Sequence, residues 1–212
     1  LLMLMFITIS LSACTKTAAE GASTEGVSSA EVSTEEASNS STEKSSETKK
    51  LIVAISPDYP PYDTIDTQGN LDGFDVEMTK WLFDYLNNNG YNVKLEWRQM
   101  SFDTIISAIQ TGQVDLGISG FSYDEDRKVL FSKPYYIEYQ VVLVKADTDI
   151  SGVELTTDGI KKYLEGKSIA VQMGSSAEEA AKLIEVADVK AISDNSIVVE
   201  SVKTGAVDAA IM

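Results

Sequence analysis

From Leu51 onward the apolar and polar residues alternate between the two periods of regular structure. Leu51 to Ile55 is a continuous apolar run, the mark of a strand covered on both faces, and Pro57, Pro60 and Pro61 end it. Asp75 stands where a helix cap is expected, Val76, Thr79, Leu82 and Leu86 recur on one helical face, and Asn87 to Gly90 supply the stop. Tyr91, Val93, Leu95 and Trp97 then alternate with polar Asn92, Lys94, Glu96 and Arg98, which predicts a half-buried strand. Phe102, Ile105, Ile106 and Ile109 return to helical spacing, Gly112 ends that helix, and Val114 to Ser119 reads as the next strand. Strand, helix, strand, helix, strand predicts an α/β fold with a mainly parallel sheet between helices.

An internal echo suggests two such units. Thr111 to Ile118 laid over Thr204 to Ile211 gives five identities in eight positions, each copy a helix end, a glycine and a strand. Helix, glycine and strand succeed one another in any α/β protein, so the echo alone leaves open whether two units exist. The second would consist of a strand at Ser168 to Gln172, a helix at Ser175 to Glu185, a strand at Val189 to Ile192 and a helix from about Asn195. Ligands of open parallel sheets sit beyond the carboxyl ends of strands, which points to the residues after Ile55, Ile118 and Val171.

Those places carry suitable chemistry. Tyr59 and Tyr62 flank a Pro-Pro pair that stiffens the loop and can hold an aromatic face toward a cleft. Ser119, Gly120, Phe121 and Ser122 precede Arg127, whose guanidinium can grip a carboxylate through two parallel hydrogen bonds. Arg127 also lies beside Asp124, Glu125 and Asp126, so a solvated ion pair is the alternative. Gln172, Met173, Gly174, Ser175 and Ser176 open a helix with two overlapping capping boxes, Ser175 with Glu178 and Ser176 with Glu179. Free N–H groups there would attract an anion. Asp58 and Asp63 are the acids of the first loop, and both are expected to be solvated.

The first fifty residues follow different rules. Leu1 to Leu11 is apolar but too short to span a bilayer as a helix, and it runs into Ser12, Ala13 and Cys14. This pattern resembles a bacterial lipobox, implying a signal peptide over 1–13 and a lipid such as a palmitate-bearing diacylglyceryl group on Cys14. The chain opens with Leu1 and lacks a basic segment before the apolar run, as expected of a sequence clipped at its front. Residues 14–50 are then read as a tether: beyond Cys14 they hold no aromatic residue and, as apolar branched side chains, only Val27 and Val32. Such a stretch buries too little surface to offset its ordering entropy, and its reach would be on the order of 30 to 35 Å.

Composition narrows the function classes. The net charge of −16 argues against a nucleic-acid partner. With no histidine and one cysteine, Ser-His and Cys-His nucleophile pairs are excluded, and neither a metal nor another cofactor is expected.

The segments LIVAISPDYPPYDTID, GNLDGFDVEM, SFDTIISAIQTGQVDLGISGFSYDEDRKVLFSKPYY and LEGKSIAVQMGSSAEEA together resemble extracellular solute-binding proteins of family 3, the receptors of polar amino acid ABC transporters. The resemblance implies a two-lobe type II periplasmic binding protein fold, with lobe 1 over 51–142 and an incomplete lobe 2 over 143–212. It implies that Tyr59 packs on the ligand, that Ser119, Gly120 and Ser122 hold its amino and carboxyl groups, and that Arg127 binds its carboxylate. Gln172, Gly174, Ser175 and Ser176 would complete the cradle from the second lobe, and the hinge would lie near Glu138 to Lys145. Ser56 matches a position that is often acidic in receptors for basic amino acids, so its neutrality weakens an arginine or lysine ligand. In the family a strand like Val207 to Met212 leads to an aspartate for the ligand's ammonium group, which is expected beyond Met212.

The function implied is a monomeric, lipid-anchored receptor on the extracytoplasmic face of a bacterial envelope, passing a free polar amino acid to an ABC permease and its ATPase. Two other uses of the fold stand beside it: an amino-acid-sensing module of a signalling protein, and an enzyme such as a cyclohexadienyl dehydratase, which would need a carboxylate in the cleft.

Overall fold

The computed structural model describes residues 4–7, 47–184 and 188–212, so Cys14 and the predicted tether before Glu47 lie outside the described residues. Of the predicted signal segment, Leu4–Ile7 is described, as strand β1. The first apolar run forms β2 (Lys49–Ile55), which starts ahead of the predicted Leu51. A short hairpin that the periodicity does not announce follows, β3 (Thr64–Ile65) and β4 (Leu71–Asp72); the Asp66 carboxylate holds its turn by accepting the Gln68 and Asn70 N–H groups, each at 2.8 Å. Then come α1 (Phe74–Asn88), β5 (Val93–Gln99), α2 (Phe102–Gln110) and β6 (Leu116–Gly117). Strands β5, β2 and β6 lie in that order in one parallel sheet. Strand β6 is shorter than the predicted Val114 to Ser119, although bonds from Asp115 N–H to Ile52 and from Ile118 N–H to Ala54 extend its pairing at 2.9 and 3.0 Å.

Asp75 does not cap α1. The cap position is Gly73, at φ 114, where an added Cβ would run into the Tyr62 carbonyl. The chain needs that glycine because the Phe74 and Asp75 N–H groups donate to the Pro61 and Tyr62 carbonyls, both at 3.1 Å. Asp75 therefore sits inside the first turn, fully buried against the first lobe.

The second lobe begins with β7 (Gln140–Leu143), ahead of the predicted boundary between 142 and 143. It continues through α3 (Thr157–Leu164), β8 (Ser168–Gln172), α4 (Ser176–Lys182), β9 (Asp188–Ile192), α5 (Asn195–Thr204) and β10 (Ala209–Ile211). The sheet order is β1-β7-β10-β8-β9; β10, β8 and β9 run parallel, while β7 is antiparallel to β10 and to β1. The two-residue period of the strands divides the core: Ile169, Val171, Ala209 and Ile211 pack with Ile160, Leu164, Ala177 and Ala181 of α3 and α4. Ala170 and Ala210 face Val198 and Val202 of α5 on the opposite side. Each large aliphatic side chain so buried contributes about 1.5 to 3 kcal/mol.

The internal echo is a shared device for entering a strand. Gly112 and Gly205 both take a left-handed turn, at φ 71 and 77. Asp115 then accepts the Ile52 N–H and Asp208 the Ser168 N–H, each through Oδ2 at 2.8 Å, so each new strand is clipped to its parallel neighbour by the same acid.

Helix α3 escaped the periodicity reading, and its start is a Thr156 cap whose hydroxyl accepts the Gly159 N–H at 3.1 Å. Thr156→Ala should cost about 1 kcal/mol. In urea titration the midpoint should drop with an unchanged slope; an unchanged midpoint would mean that the cap contributes nothing.

Candidate ligand-binding site

The carboxyl ends of strands from both sheets converge on one cleft. Lobe 1 lines it with Asp58, Tyr59, Phe102, Ser119, Gly120, Ser122 and Arg127, and the crossing segment adds Glu138 and Gln140. Lobe 2 adds Gln172, Ser175, Ser176, Ala177, Asn195 and Met212. Eight of the predicted positions are thus brought together: Tyr59, Ser119, Gly120, Ser122, Arg127, Gln172, Ser175 and Ser176.

Tyr62, Phe121 and Gly174 do not line it, and each stands behind a residue that does. The Tyr62 ring stacks on Tyr59 at 5.3 Å between centroids. Phe121 stacks on Phe102 at 4.5 Å, and the Arg127 guanidinium lies 5.3 Å from its ring centre. Gly174 accepts a hydrogen bond from Arg127 Nη2 through its carbonyl, at 3.2 Å.

Arg127 is a cleft residue and not a solvated ion pair. Its side chain is only 10% exposed; Nε reaches Asp124 at 3.5 Å, and Nη1 is buried with no hydrogen-bond partner among the described residues. Burial draws its pKa down from the usual arginine value while Asp124 opposes the shift. The crossing segment supplies an opposite orphan: Gln140 donates from Nε2 to Ser176 at 3.0 Å, but its buried Oε1 has no partner among the described residues.

The capping geometry corrects part of the sequence reading. Ser175 caps α4 by accepting the Glu178 N–H at 3.3 Å, but the Glu178 carboxylate reaches back past the Ser175 N–H of a capping box to accept the Gly174 N–H at 2.7 Å, one residue further. Ser176 caps nothing. It is the first helical residue, and its hydroxyl meets Ser122 of the first lobe across the cleft at 3.3 Å and accepts from Gln140 Nε2.

Neither acid of the first loop is solvated. Asp58 Oδ2 accepts from Gln172 Nε2 at 3.0 Å and from the Asn195 N–H at 2.8 Å, while Oδ1 accepts from the Ser56 hydroxyl at 3.0 Å. Burial raises its pKa, and the Asn195 bond works against that rise. Asp63 is fully buried, and its Oδ2 accepts from Ser119 Oγ at 2.9 Å. Above this base the Tyr59 ring lies 3.6 Å from where a Gly120 side chain would begin, an ordinary contact distance, and it is the left-handed backbone of Gly120, at φ 58, that favours glycine there. Burial pushes the Tyr59 hydroxyl up to about 12, so it remains a neutral donor at ordinary pH.

Sequence reasoning missed Asp58, Phe102, Glu138, Gln140, Ala177, Asn195 and Met212 as lining residues. Asn195 and Met212 follow β9 and β10, so the strand-end rule that found the others covers them too. Glu138 and Gln140 arrive with the antiparallel β7, to which that rule does not apply.

Comparison with known proteins agrees with this architecture. The model of bacterial extracellular solute-binding proteins, family 3, matches residues 51–208. The arginine-binding extracellular protein ArtP of Bacillus subtilis is 35% identical over 175 residues, covering 79% of this chain and 62% of that protein. A probable histidine-binding protein of Campylobacter jejuni is 32% identical over 164 residues, covering 76% and 59%. The chain thus spans roughly three fifths of these relatives' length. Among solved structures, the arginine-bound form of a truncated ArgBP from T. maritima superposes with a TM-score of 0.68 at 31% identity, covering 77% of this chain and 73% of that one. With the two α/β lobes of a type II periplasmic binding protein and a family match across three quarters of its length, the chain belongs to the bacterial extracellular solute-binding proteins of family 3.

Proposed function

We propose that this chain is the receptor of an ABC importer that captures a free polar amino acid outside the membrane and hands it to the permease. The observation that carries this reading is the pair of buried orphans in one cleft, a donor at Arg127 Nη1 and an acceptor at Gln140 Oε1. An amino acid zwitterion offers the two complements, a carboxylate and an ammonium group, and pairing both removes the cost of leaving each buried and unpaired. Tyr59 covers the ligand and the hydroxyls of Ser119, Ser122 and Ser176 fill the remaining directions. Glu138, whose Oε1 accepts from the Ser122 hydroxyl at 3.5 Å, leaves a carboxylate for a cationic side chain, the charge that Ser56 does not supply. The relatives named for arginine and histidine favour the same class of ligand.

The receptor works by trapping, without chemistry. Ligand meets the Arg127 lobe, the second lobe closes through Ser176 and Gln172, and the permease reads the closed shape while its ATPase supplies energy. Lipid on Cys14 keeps this monomer at the extracytoplasmic face. The test is thermal stabilisation of the whole chain by each of the twenty amino acids, followed by calorimetry. Arginine should stabilise most, by about 2.7 kcal/mol at 100 times its dissociation constant, with lysine, histidine and glutamine weaker and aspartate inert. Absence of any shift, or conversion of the ligand to a new product, would overturn the receptor reading.

A further inference from the structure

Two carboxyl groups lie buried directly beneath the ligand-facing turn, and the receptor reading leaves them unexplained. Asp63, after β2, and Asp75, in the first turn of α1, are 0% and 1% exposed. They grip adjacent residues of one turn: Asp63 Oδ2 accepts from Ser119 Oγ and Asp75 Oδ2 from the Gly120 N–H, both at 2.9 Å. Asp75 Oδ1 also accepts the Tyr135 hydroxyl at 3.1 Å, so each of its oxygens accepts from a donor. Asp63 Oδ1 is buried with no hydrogen-bond donor among the described residues, and its carboxyl lies within hydrogen-bond reach of Asp75.

Among the described residues, the ionisable groups that act most strongly on the pair are acids and a phenol, although Lys133 lines the same pocket as Asp75. Asp58 stands on the same loop, Tyr135 and Glu138 come from the segment before β7, and among the described residues no lysine or arginine forms an ion pair or hydrogen bond with either carboxyl. Two adjacent buried carboxylates without a cation cannot both ionise. We propose that Asp63 and Asp75 hold one proton between them, carried on Asp63 Oδ1 and donated to Asp75, and that this acid pair is the positioning element of the Ser119–Gly120 ligand turn. Protonation turns the orphan Asp63 Oδ1 into a donor and leaves Asp75 ionised to accept from Gly120 and Tyr135. Burial and the neighbouring Asp75 charge push Asp63 up to about 8, in keeping with that assignment.

The sign of the linkage follows. Asp63 has a raised folded-state value, so between about pH 4 and pH 8 the folded chain holds a proton that the unfolded chain has released. Folding is therefore favoured at the acid side of that window and loses up to tenfold in equilibrium constant for each pH unit of rise. Asp63→Asn supplies a permanent donor toward Asp75 and an acceptor for Ser119. Its stability relative to the parent should rise with pH across the window, up to tenfold per unit in the folding constant, and its ligand affinity should stay within threefold. Asp75→Asn places an amide donor among three donors and should weaken binding at least tenfold; Asp63→Ala should do the same.

The experiment is urea unfolding of the full chain and its Asp63→Asn and Asp75→Asn variants at half-unit steps from pH 5 to 8.5, with arginine titration of these and of Asp63→Ala at pH 6.5. The unfolding arm needs no ligand, so it separates the fate of the proton from that of the receptor reading, on which the affinity arm rests. A parent and Asp63→Asn variant with parallel pH profiles would overturn the shared proton. Equal loss of affinity in Asp63→Asn and Asp63→Ala would overturn the positioning role.

Discussion

Arg127→Ala should abolish detectable amino-acid binding while leaving the chain folded. The guanidinium is held rather than free: it lies 5.9 and 5.3 Å from the ring centres of Phe102 and Phe121, Nε is pinned by Asp124, and Nη2 spans the cleft to the Gly174 carbonyl. This restraint leaves Nη1 as a fixed, desolvated donor, and a carboxylate that meets it forms a charge-assisted bond in a place where water competes poorly. Removing one partner of such a buried charged pair costs about 2 to 5 kcal/mol, or roughly thirty- to several-thousand-fold in affinity. Arg127→Lys keeps the charge but loses the planar fork and the stacking, so it should recover only a small part. Calorimetry with arginine checks both variants, with circular dichroism to show folded protein. Binding by Arg127→Ala within threefold of the parent would remove the carboxylate role from this residue.

Local pattern was enough to reveal much of the scaffold. The run Ser168 to Gln172 became β8 over those same residues, because a strand covered on both faces needs nothing but a continuous apolar stretch. Likewise the glycine and aspartate of the internal echo act through their own backbone and the adjacent strand. The acids were misread for a physical reason. An aspartate ahead of an apolar helix looks like a cap, but the Gly73 turn brings the Tyr62 carbonyl to α1 and leaves the Asp75 carboxylate facing Gly120, 45 positions away in the chain. Asp58 is a similar case, since its partners Gln172 and Asn195 stand 114 and 137 residues further along. No periodicity within one segment encodes such distances. The strand-end rule did find the cleft, because it is a property of parallel sheets and not of any one contact.

Asp58→Ala should weaken binding ten- to a hundredfold for every amino acid the receptor takes. A single oxygen, Oδ2, joins the lobes by accepting both the Gln172 amide and the Asn195 N–H at the start of α5. Its other oxygen is occupied by Ser56. With all these donors in place Asp58 acts as a clasp between the lobes, and the cleft retains Glu138 for a cationic side chain. Hydrogen bonds to a charged group contribute about 1.5 to 3 kcal/mol each; the open form recovers part of that from water, and the surplus sets the ratio of closed to open receptor. Because closure follows encounter, the loss should fall on dissociation, with association nearly unchanged. Asp58→Asn keeps one acceptor oxygen and should lose less. Stopped-flow titration with arginine and with glutamine separates this role from direct ligand contact, because a clasp affects both ligands by the same factor whereas a side-chain contact affects only the cation. A loss confined to arginine would move Asp58 from closure to specificity.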